Sequence, residues 1–416
     1  MVAATSSAAP NRPRIIIHGG AGNLTRSNLP PALWASYRES LIAILQNTHD
    51  LLTSGASALD AVTAAVVALE DNPLYNASRG AVFTRAGTIE LEASVMVSHG
   101  YRKRGCGVFL LNHVKHPILL AKEMLVRGDE EGDGGGAYGH VQLSGAQAES
   151  LAEKWGLEMV DPAYFWTKRR WEDHLRGLER EKKGSGDPSW DQVEFVPQGT
   201  VGAVALDKWG TLCVATSTGG LTNKLPGRLG DTPTLGAGFW AGEWNGEARR
   251  AGPEMYRQPQ PWWRELVEGL RTLLGRCSPL VNHKAHYDPL SADEKTESHR
   301  TRGVALSGTG NGDSFLKLSA CHTVGMLARF CPRPQDTLQW AVTRIAGPNG
   351  DMQLSAGSRW KKTGEGQAGI IGIDVVRDDR GCFDGKVVAD FNCGGLLRAW
   401  IDDGGKTKCM VFREEY

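Results

Sequence analysis

The order of patterns along this chain predicts an α+β fold of layered sheets in preference to a doubly wound parallel one. Two observations lead there. β-like and helical runs arrive in blocks, strands then helices and again, without strict alternation. Thr200–Leu206 and Thr211–Thr216 form a strand pair joined by a turn at Lys208-Trp209-Gly210, which makes them antiparallel neighbours. Composition agrees with a globular chain able to bury a core: 41% of the 416 residues are hydrophobic and 23% charged.

The elements follow in order. Arg14-Ile15-Ile16-Ile17 is a short β-branched run leading into His18-Gly19-Gly20-Ala21-Gly22. Pro31–Thr53 carries Trp34, Tyr37, Leu41, Leu45 and Leu52 at helical spacing, and Gly55 closes it. Ser57 opens an alanine-rich helix that stops near Asp71-Asn72-Pro73, since proline disfavours helix at the residue before it. Ala81–Thr84 and Ile89–Val97 are β-like, a helix begins near His116-Pro117, Gly128–Gly139 is a loop, and Ala146–Trp155 is helical again. From Trp166 to Gln192 the chain turns strongly charged, with Lys168-Arg169-Arg170 read as a solvated face and Lys182–Pro188 as an exposed, cuttable linker. Beyond the hairpin, Gly242–Arg302 is polar, with one helical piece at Trp262–Leu274. A strand at Gly303–Leu306, a glycine turn, a long helix over Ser314–Phe330, and strands at Gly369–Val375 and Val387–Phe391 complete the order.

Bulk properties exclude several function classes. Lys+Arg and Asp+Glu both number 47, so no net field gathers nucleic acid or an anionic membrane. Lys168-Arg169-Arg170 and Lys361-Lys362 are too short to change that. No apolar run approaches the roughly 18 residues of a membrane span. Residues 1–13, rich in Ala, Ser and Pro, are expected to form a disordered leader without a secretory signal. The eight scattered cysteines contain no C-x-x-C and suit buried reduced thiols in the cytoplasm.

Gly308-Thr309-Gly310-Asn311-Gly312 follows a strand and precedes a helix, but its spacing is not G-x-G-x-x-G and no Walker lysine is present, which argues against a bound nucleotide cofactor. G-x-S-x-G is absent as well, so a nucleophile elbow is excluded. Threonine remains. Its hydroxyl needs a base, and an N-terminal threonine supplies one in its own α-amine, with a pKa near 8. Val196-Pro197-Gln198-Gly199-Thr200-Val201-Gly202 has the form such a residue requires: a polar approach, a glycine, the threonine, then a strand. The same form also fits the plain end of a loop.

Gly199 through Asp207, and Ala215-Thr216-Ser217-Thr218-Gly219-Gly220-Leu221-Thr222-Asn223-Lys224-Leu225-Pro226-Gly227-Arg228-Leu229-Gly230-Asp231-Thr232-Pro233, resemble the plant-type L-asparaginases and isoaspartyl peptidases, which are N-terminal nucleophile hydrolases. His18–Gly22, Asn72–Ala77, Glu92-Ala93-Ser94-Val95-Met96, Phe391-Asn392 and Arg398-Ala399-Trp400 extend the likeness across about 14–413.

The resemblance implies a four-layer αββα sandwich with two antiparallel-rich central sheets. It also implies self-cleavage before Thr200 into chains 14–199 and 200–416, which together form one domain and pair into an (αβ)2 heterotetramer. Thr200 would be the nucleophile, Thr218 its positioning partner, Asn76 the residue bracing it, and Ser307 with Gly308 the oxyanion donors. Arg228 would grip the substrate α-carboxylate, Asp231 its α-ammonium, and Gly310 would admit substrate to the backbone. No cofactor is implied. The loop Leu69–Gly80 would wrap a structural sodium ion with the main-chain carbonyls of Leu69, Glu70, Asn72, Tyr75, Ala77 and Arg79. The substrates implied are L-asparagine and β-aspartyl dipeptides, with no nucleic-acid or membrane partner.

This chain departs from the family at three places: serine stands at 307 where threonine is usual, Ser78-Arg79 replaces a small or apolar pair, and 242–302 is inserted. The alternatives are a non-catalytic scaffold, a taspase-like endopeptidase, which has no need of Arg228 and Asp231, and a glycosylasparaginase, which would carry a secretory signal.

Overall fold

The computed structural model describes residues 11–184, 199–245, 300–331 and 337–416. The leader up to residue 10, the linker from residue 185 on and the helical piece at Trp262–Leu274 lie outside them. Residues 11–13 of the expected leader are placed: Asn11 donates its N–H to the Phe383 carbonyl, and its side chain accepts from Phe383 N.

β1 (Arg14–Gly22) extends past the predicted isoleucine run, because a register shift between His18 and Gly20 lets the glycines stay in the sheet. α1 (Pro31–Ser54) starts with proline in its first turn and ends at Gly55, whose φ of 106° suits only glycine. α2 (Ala58–Glu70) is capped by Ser57, which accepts from Asp60 N. Then come β2 (Leu91–Val97), β3 (Gly105–Leu111), α3 (Pro117–Val126), β4 (Gln142–Ser144), α4 (Gly145–Lys154) and α5 (Lys168–Lys182). β5 (Val201–Leu206) and β6 (Leu212–Thr218) are the predicted hairpin. β7 (Phe239–Asn245) and β8 (Thr301–Gly310) occupy both ends of the stretch expected as an insertion, so strand pairing reaches Asn245 on one side and starts at Thr301 on the other.

The predicted long helix over Ser314–Phe330 is two helices, α6 (Gly312–Leu318) and α7 (Ala320–Phe330). Ser319, at φ 45°, breaks the run. α8 (Thr337–Ala346), α9 (Asp351–Ser355), β9 (Ala368–Arg377), β10 (Phe383–Phe391), β11 (Gly395–Ile401) and β12 (Thr407–Met410) follow. Ala81–Thr84, expected as β-like, joins neither sheet. Its backbone serves two loops: Val82 N donates to the Asn76 side chain, and Thr84 bridges Lys224.

One sheet has eight strands in the order β12-β11-β1-β5-β6-β2-β3-β4, and the other has four in the order β10-β9-β8-β7. Every pairing is antiparallel except β3 with β4. Alternation along β5 shows how the layers form. Val201, Ala203 and Ala205 face Leu59, Val62 and Val66 of α2, whereas Val204 and Leu206 face Ala305, Ile371 and Ile373 of the second sheet. The far side of that sheet, through Val304, Leu306, Ile370 and Val388, is covered by Val324 and Ala328 of α7 and Val342 and Ile345 of α8. The result is helix, sheet, sheet, helix, as the resemblance implied.

Candidate active site

Strand register assembles the site. β5 is central in the larger sheet, between β1 and β6. Val201 pairs with Ser217 and Gly202 with His18, so Thr200, one residue before the strand, lies opposite Thr218 and beside the glycines of β1. Gly199 fits there only as glycine: a Cβ would come within 2.6 Å of Ala21 N and of Thr309 Oγ1. Thr200 is buried, and its hydroxyl lies 2.9 Å from that of Thr232.

Thr218 Oγ1 accepts from Gly220 N at 3.1 Å and from Asn76 Nδ2 at 3.4 Å. With both lone pairs engaged, its O–H is left to donate. Asn76 also donates to the Gly220 carbonyl and accepts from Val82 N, so one amide holds three loops. Asn76 and Thr218 are therefore placed together. The Thr232 hydroxyl, which the sequence reading did not single out, is the nearest to Thr200. Thr232 is itself fixed through its carbonyl, which accepts from Ser94 Oγ at 2.6 Å.

Ser307 and Gly308 lie at the end of β8, opposite β7, and both are engaged. Ser307 Oγ is 2.7 Å from His18 Nε2, and Gly308 N donates to the Gly238 carbonyl at 2.7 Å. Burial pushes the His18 imidazole down to about 3, so it is neutral throughout the physiological range. A Cβ on Gly202 would come within 2.3 Å of Ser307 Oγ and 2.5 Å of His18 Nε2, which explains the glycine opposite them. Gly310, at φ 140°, has its missing Cβ aimed at the Gln367 carbonyl.

Arg228 and Asp231 form the charged end of the site. Arg228 Nε and Asp231 Oδ2 are buried and have no hydrogen-bond partner among the described residues. Burial pushes the Asp231 carboxyl up to about 7, with Arg228 opposing. One Arg228 nitrogen rests 3.2 Å from the half-exposed carboxylate of Asp313. Behind it lies a charge pair that sequence reasoning missed. Buried Glu92 accepts from Gly230 N at 3.0 Å and lies 3.9 Å from Lys224 Nζ, which donates to the Glu90 carbonyl. Glu92, Lys224, His18 and Thr232 all fall within the family-like stretches, which was the available signal. Thr309 carried none.

In the loop Leu69–Gly80, the carbonyls of Leu69, Glu70 and Asn72 each accept a local N–H, from Asn72, Arg79 and Tyr75. Each keeps a second lone pair. Gly80 lets the loop curl, since a Cβ there would sit 2.7 Å from the carbonyl oxygens of Pro73 and Tyr75. The Arg79 guanidinium turns outward onto the Tyr164 ring, 5.5 Å from its centroid, so it does not fill the loop. These carbonyls are oxygen ligands of the kind a hard cation takes. Among the described residues, no group of three His, Cys, Asp or Glu could hold a metal, and no helix is long and apolar enough to cross a membrane.

The αββα layering, with a threonine at the head of a central strand, defines the N-terminal nucleophile hydrolase class. The asparaginase family matches residues 11–248, and the chain belongs to it. It is 42% identical over 407 residues to the isoaspartyl peptidase of Escherichia coli, covering 96% of each chain. It is 41% identical over 236 residues to the isoaspartyl peptidase of Salmonella typhimurium, which covers 56% of this chain and 70% of that protein. The isoaspartyl peptidase/L-asparaginase of Xenopus laevis is 35% identical over 230 residues, 55% of this chain and 67% of its own.

Proposed function

We propose that this chain cuts itself between Gly199 and Thr200, and that the freed threonine hydrolyses the β-amide of L-asparagine and of β-aspartyl dipeptides. The observation that carries this is the unpartnered buried pair, Arg228 Nε and Asp231 Oδ2, on the loop that follows the Thr218 strand. A substrate with a free amino-acid head satisfies both at once: its α-carboxylate takes the guanidinium and its α-ammonium takes the carboxylate.

In the matured protein the Thr200 amine removes the proton from its own hydroxyl, and Oγ1 attacks the β-amide carbon. Thr218, held by Asn76 and Gly220, donates to the attacking group and keeps it aligned. Ser307 and Gly308 serve the oxyanion once their bonds to His18 and Gly238 yield to it. The leaving ammonia or amino acid takes the proton, and the β-aspartyl ester left on Thr200 is hydrolysed by water to release aspartate. N-terminal sequencing of active protein should read Thr-Val-Gly-Ala. Active material lacking that sequence would end the proposal.

The same reading includes a sodium ion held by the carbonyls of Leu69, Glu70, Asn72, Tyr75, Ala77 and Arg79. It would supply a fixed positive charge that stiffens the loop bearing Asn76, and a melting temperature indifferent to replacing sodium by a bulky organic cation would count against it. We place the protein in the cytoplasm, which the free state of the seven described cysteines supports; a disulfide mapped by peptide mass spectrometry in freshly isolated protein would contradict it. We also infer an (αβ)2 assembly of two cleaved chains, for which light scattering should give about twice the 45.0 kDa chain mass.

A further inference from the structure

The charged segment before the cut is a helix whose faces are inverted. In α5 the buried positions are Arg170, Asp173, His174 and Gly177, the i, i+3, i+4, i+7 stripe that normally carries apolar side chains. Leu175 on the same helix is 49% exposed. A stripe of Arg, Asp and His is costly to bury unless each member holds something, so the inversion asks what α5 holds.

Two site loops answer. Arg170, fully buried, donates from Nε to the Gly80 carbonyl at 2.8 Å, with Asp173 as its counter-ion at 3.7 Å. Gly80 closes the loop that bears Asn76, and its own N–H donates to the Phe165 carbonyl just ahead of α5. One turn further on, His174 and Asn223 bond reciprocally. His174 Nδ1 pairs with Asn223 Oδ1, while Asn223 Nδ2 donates to the His174 carbonyl at 3.1 Å. The second bond fixes the amide orientation, so the ring must carry its proton on Nδ1. Asn223 sits at φ 59°, and its N–H donates to the Phe83 carbonyl, in the loop that runs from Thr218 to Arg228. Phe83 in turn packs edge-on against Trp171 of α5, with ring centroids 5.1 Å apart.

We propose that α5 is a brace for the active site, with His174 and Arg170 as positioning residues. His174 holds the Thr218–Arg228 loop in the conformation that presents Arg228 and Asp231, and Arg170 holds the Asn76 loop. Neither touches substrate. Because both anchors are buried side chains of the helix itself, the brace survives the cut at Gly199. The Arg85–Glu181 pair at the helix end, about 38% exposed on both sides, adds little by comparison.

The kinetic half of this proposal rests on Arg228 gripping the substrate head; the conformational half does not, and the test separates them. The matured full-length protein carrying His174→Ala is compared with His174→Asn, whose amide nitrogen takes the place of Nδ1 toward Asn223. Backbone hydrogen exchange over residues 219–228, KM and kcat for a β-aspartyl dipeptide, and melting temperature are measured on each. The expected result for His174→Ala is exchange over 219–228 faster by about tenfold, KM higher by about tenfold and kcat within about twofold, with His174→Asn restoring most of each. Unchanged exchange over 219–228 overturns the brace. So does an unchanged KM in a protein whose Arg228→Ala variant shows a raised one. If Arg228→Ala itself leaves KM unchanged, the head-group assignment falls and exchange alone decides the brace. Should His174→Ala fail to fold, Asn223→Asp sets a carboxylate oxygen against the His174 carbonyl in place of the donated N–H and must move exchange and KM in the same direction, or the proposal fails.

Discussion

The two central sheets are finished very differently in their middles and at their site ends, although the same strands run through both. In the middle, Ile16, Val204, Val214, Ile371 and Ile373 interlock between the sheets with at most 1% of their surface exposed. At the site end the strands carry Gly20, Thr218, Ser307, Gly308 and Gly310, with Gly199 and Thr200 just before β5. There, hydroxyls lie within hydrogen-bond distance of one another, and Arg228 and Asp231 keep buried polar atoms unsatisfied. The aliphatic middle fixes the backbone, which lets the other end hold groups in states that water or partners would otherwise relax. The unsatisfied atoms of Arg228 and Asp231 stand where a ligand can complete them.

Breaking the site end should destroy chemistry and leave folding intact. Thr200→Ala should remain a single chain on a denaturing gel, with hydrolysis of β-aspartyl dipeptides reduced at least about 10³-fold. Two fragments from that variant would misplace the nucleophile. Arg228→Ala should lower kcat/KM about 10²-fold with little change in melting temperature, and Arg228→Lys should recover only part, because an ammonium cannot reproduce the planar fork.

A pH titration sharpens the same comparison. The Asp231 carboxyl, pushed up to about 7 by burial, must be ionised to take an ammonium. Affinity for aspartate as a competitive product should therefore fall about tenfold between pH 8 and pH 6. In the empty protein, the stability this raised pKa contributes is full below the unfolded value near 4 and is lost as pH rises through about 7. The bound ammonium offsets that loss, so the rise in melting temperature caused by aspartate should grow from pH 6 to pH 8. A constant rise would remove Asp231 from the head-group site. The smallest effect belongs to the middle of the sheets: Ile373→Val should cost about 1 kcal/mol of stability in denaturant unfolding and leave kcat unchanged.

Much of this was legible beforehand. The β5–β6 hairpin, α1, α2 and the glycine turns announce themselves through alternation, helical spacing and capping, all local properties of adjacent residues. The glycine-rich and threonine-rich stretches could be matched to a family because their residue types are dictated by close backbone approach, as the missing Cβ atoms of Gly199, Gly202 and Gly310 make plain. α5 was misread as a solvated charge run, since its buried face is polar and its apolar residues, Trp171 and Leu175 among them, lie on a different stripe of the helix. The break at Ser319 was equally silent, because a left-handed serine is chosen by the surrounding packing and has no sequence signal of its own.

By itself, then, the sequence determined the layered α+β class, the threonine at the head of a strand, and the identity of the charged pair at 228 and 231. Only the tertiary structure decided that Thr232 is the hydroxyl nearest Thr200, that neutral His18 holds Ser307, and that Arg170 and His174 turn inward. Those relations join residues between 32 and 289 positions apart, where side chains meet through sheet register and loop packing, and no local pattern records which distant partner a buried polar group will find.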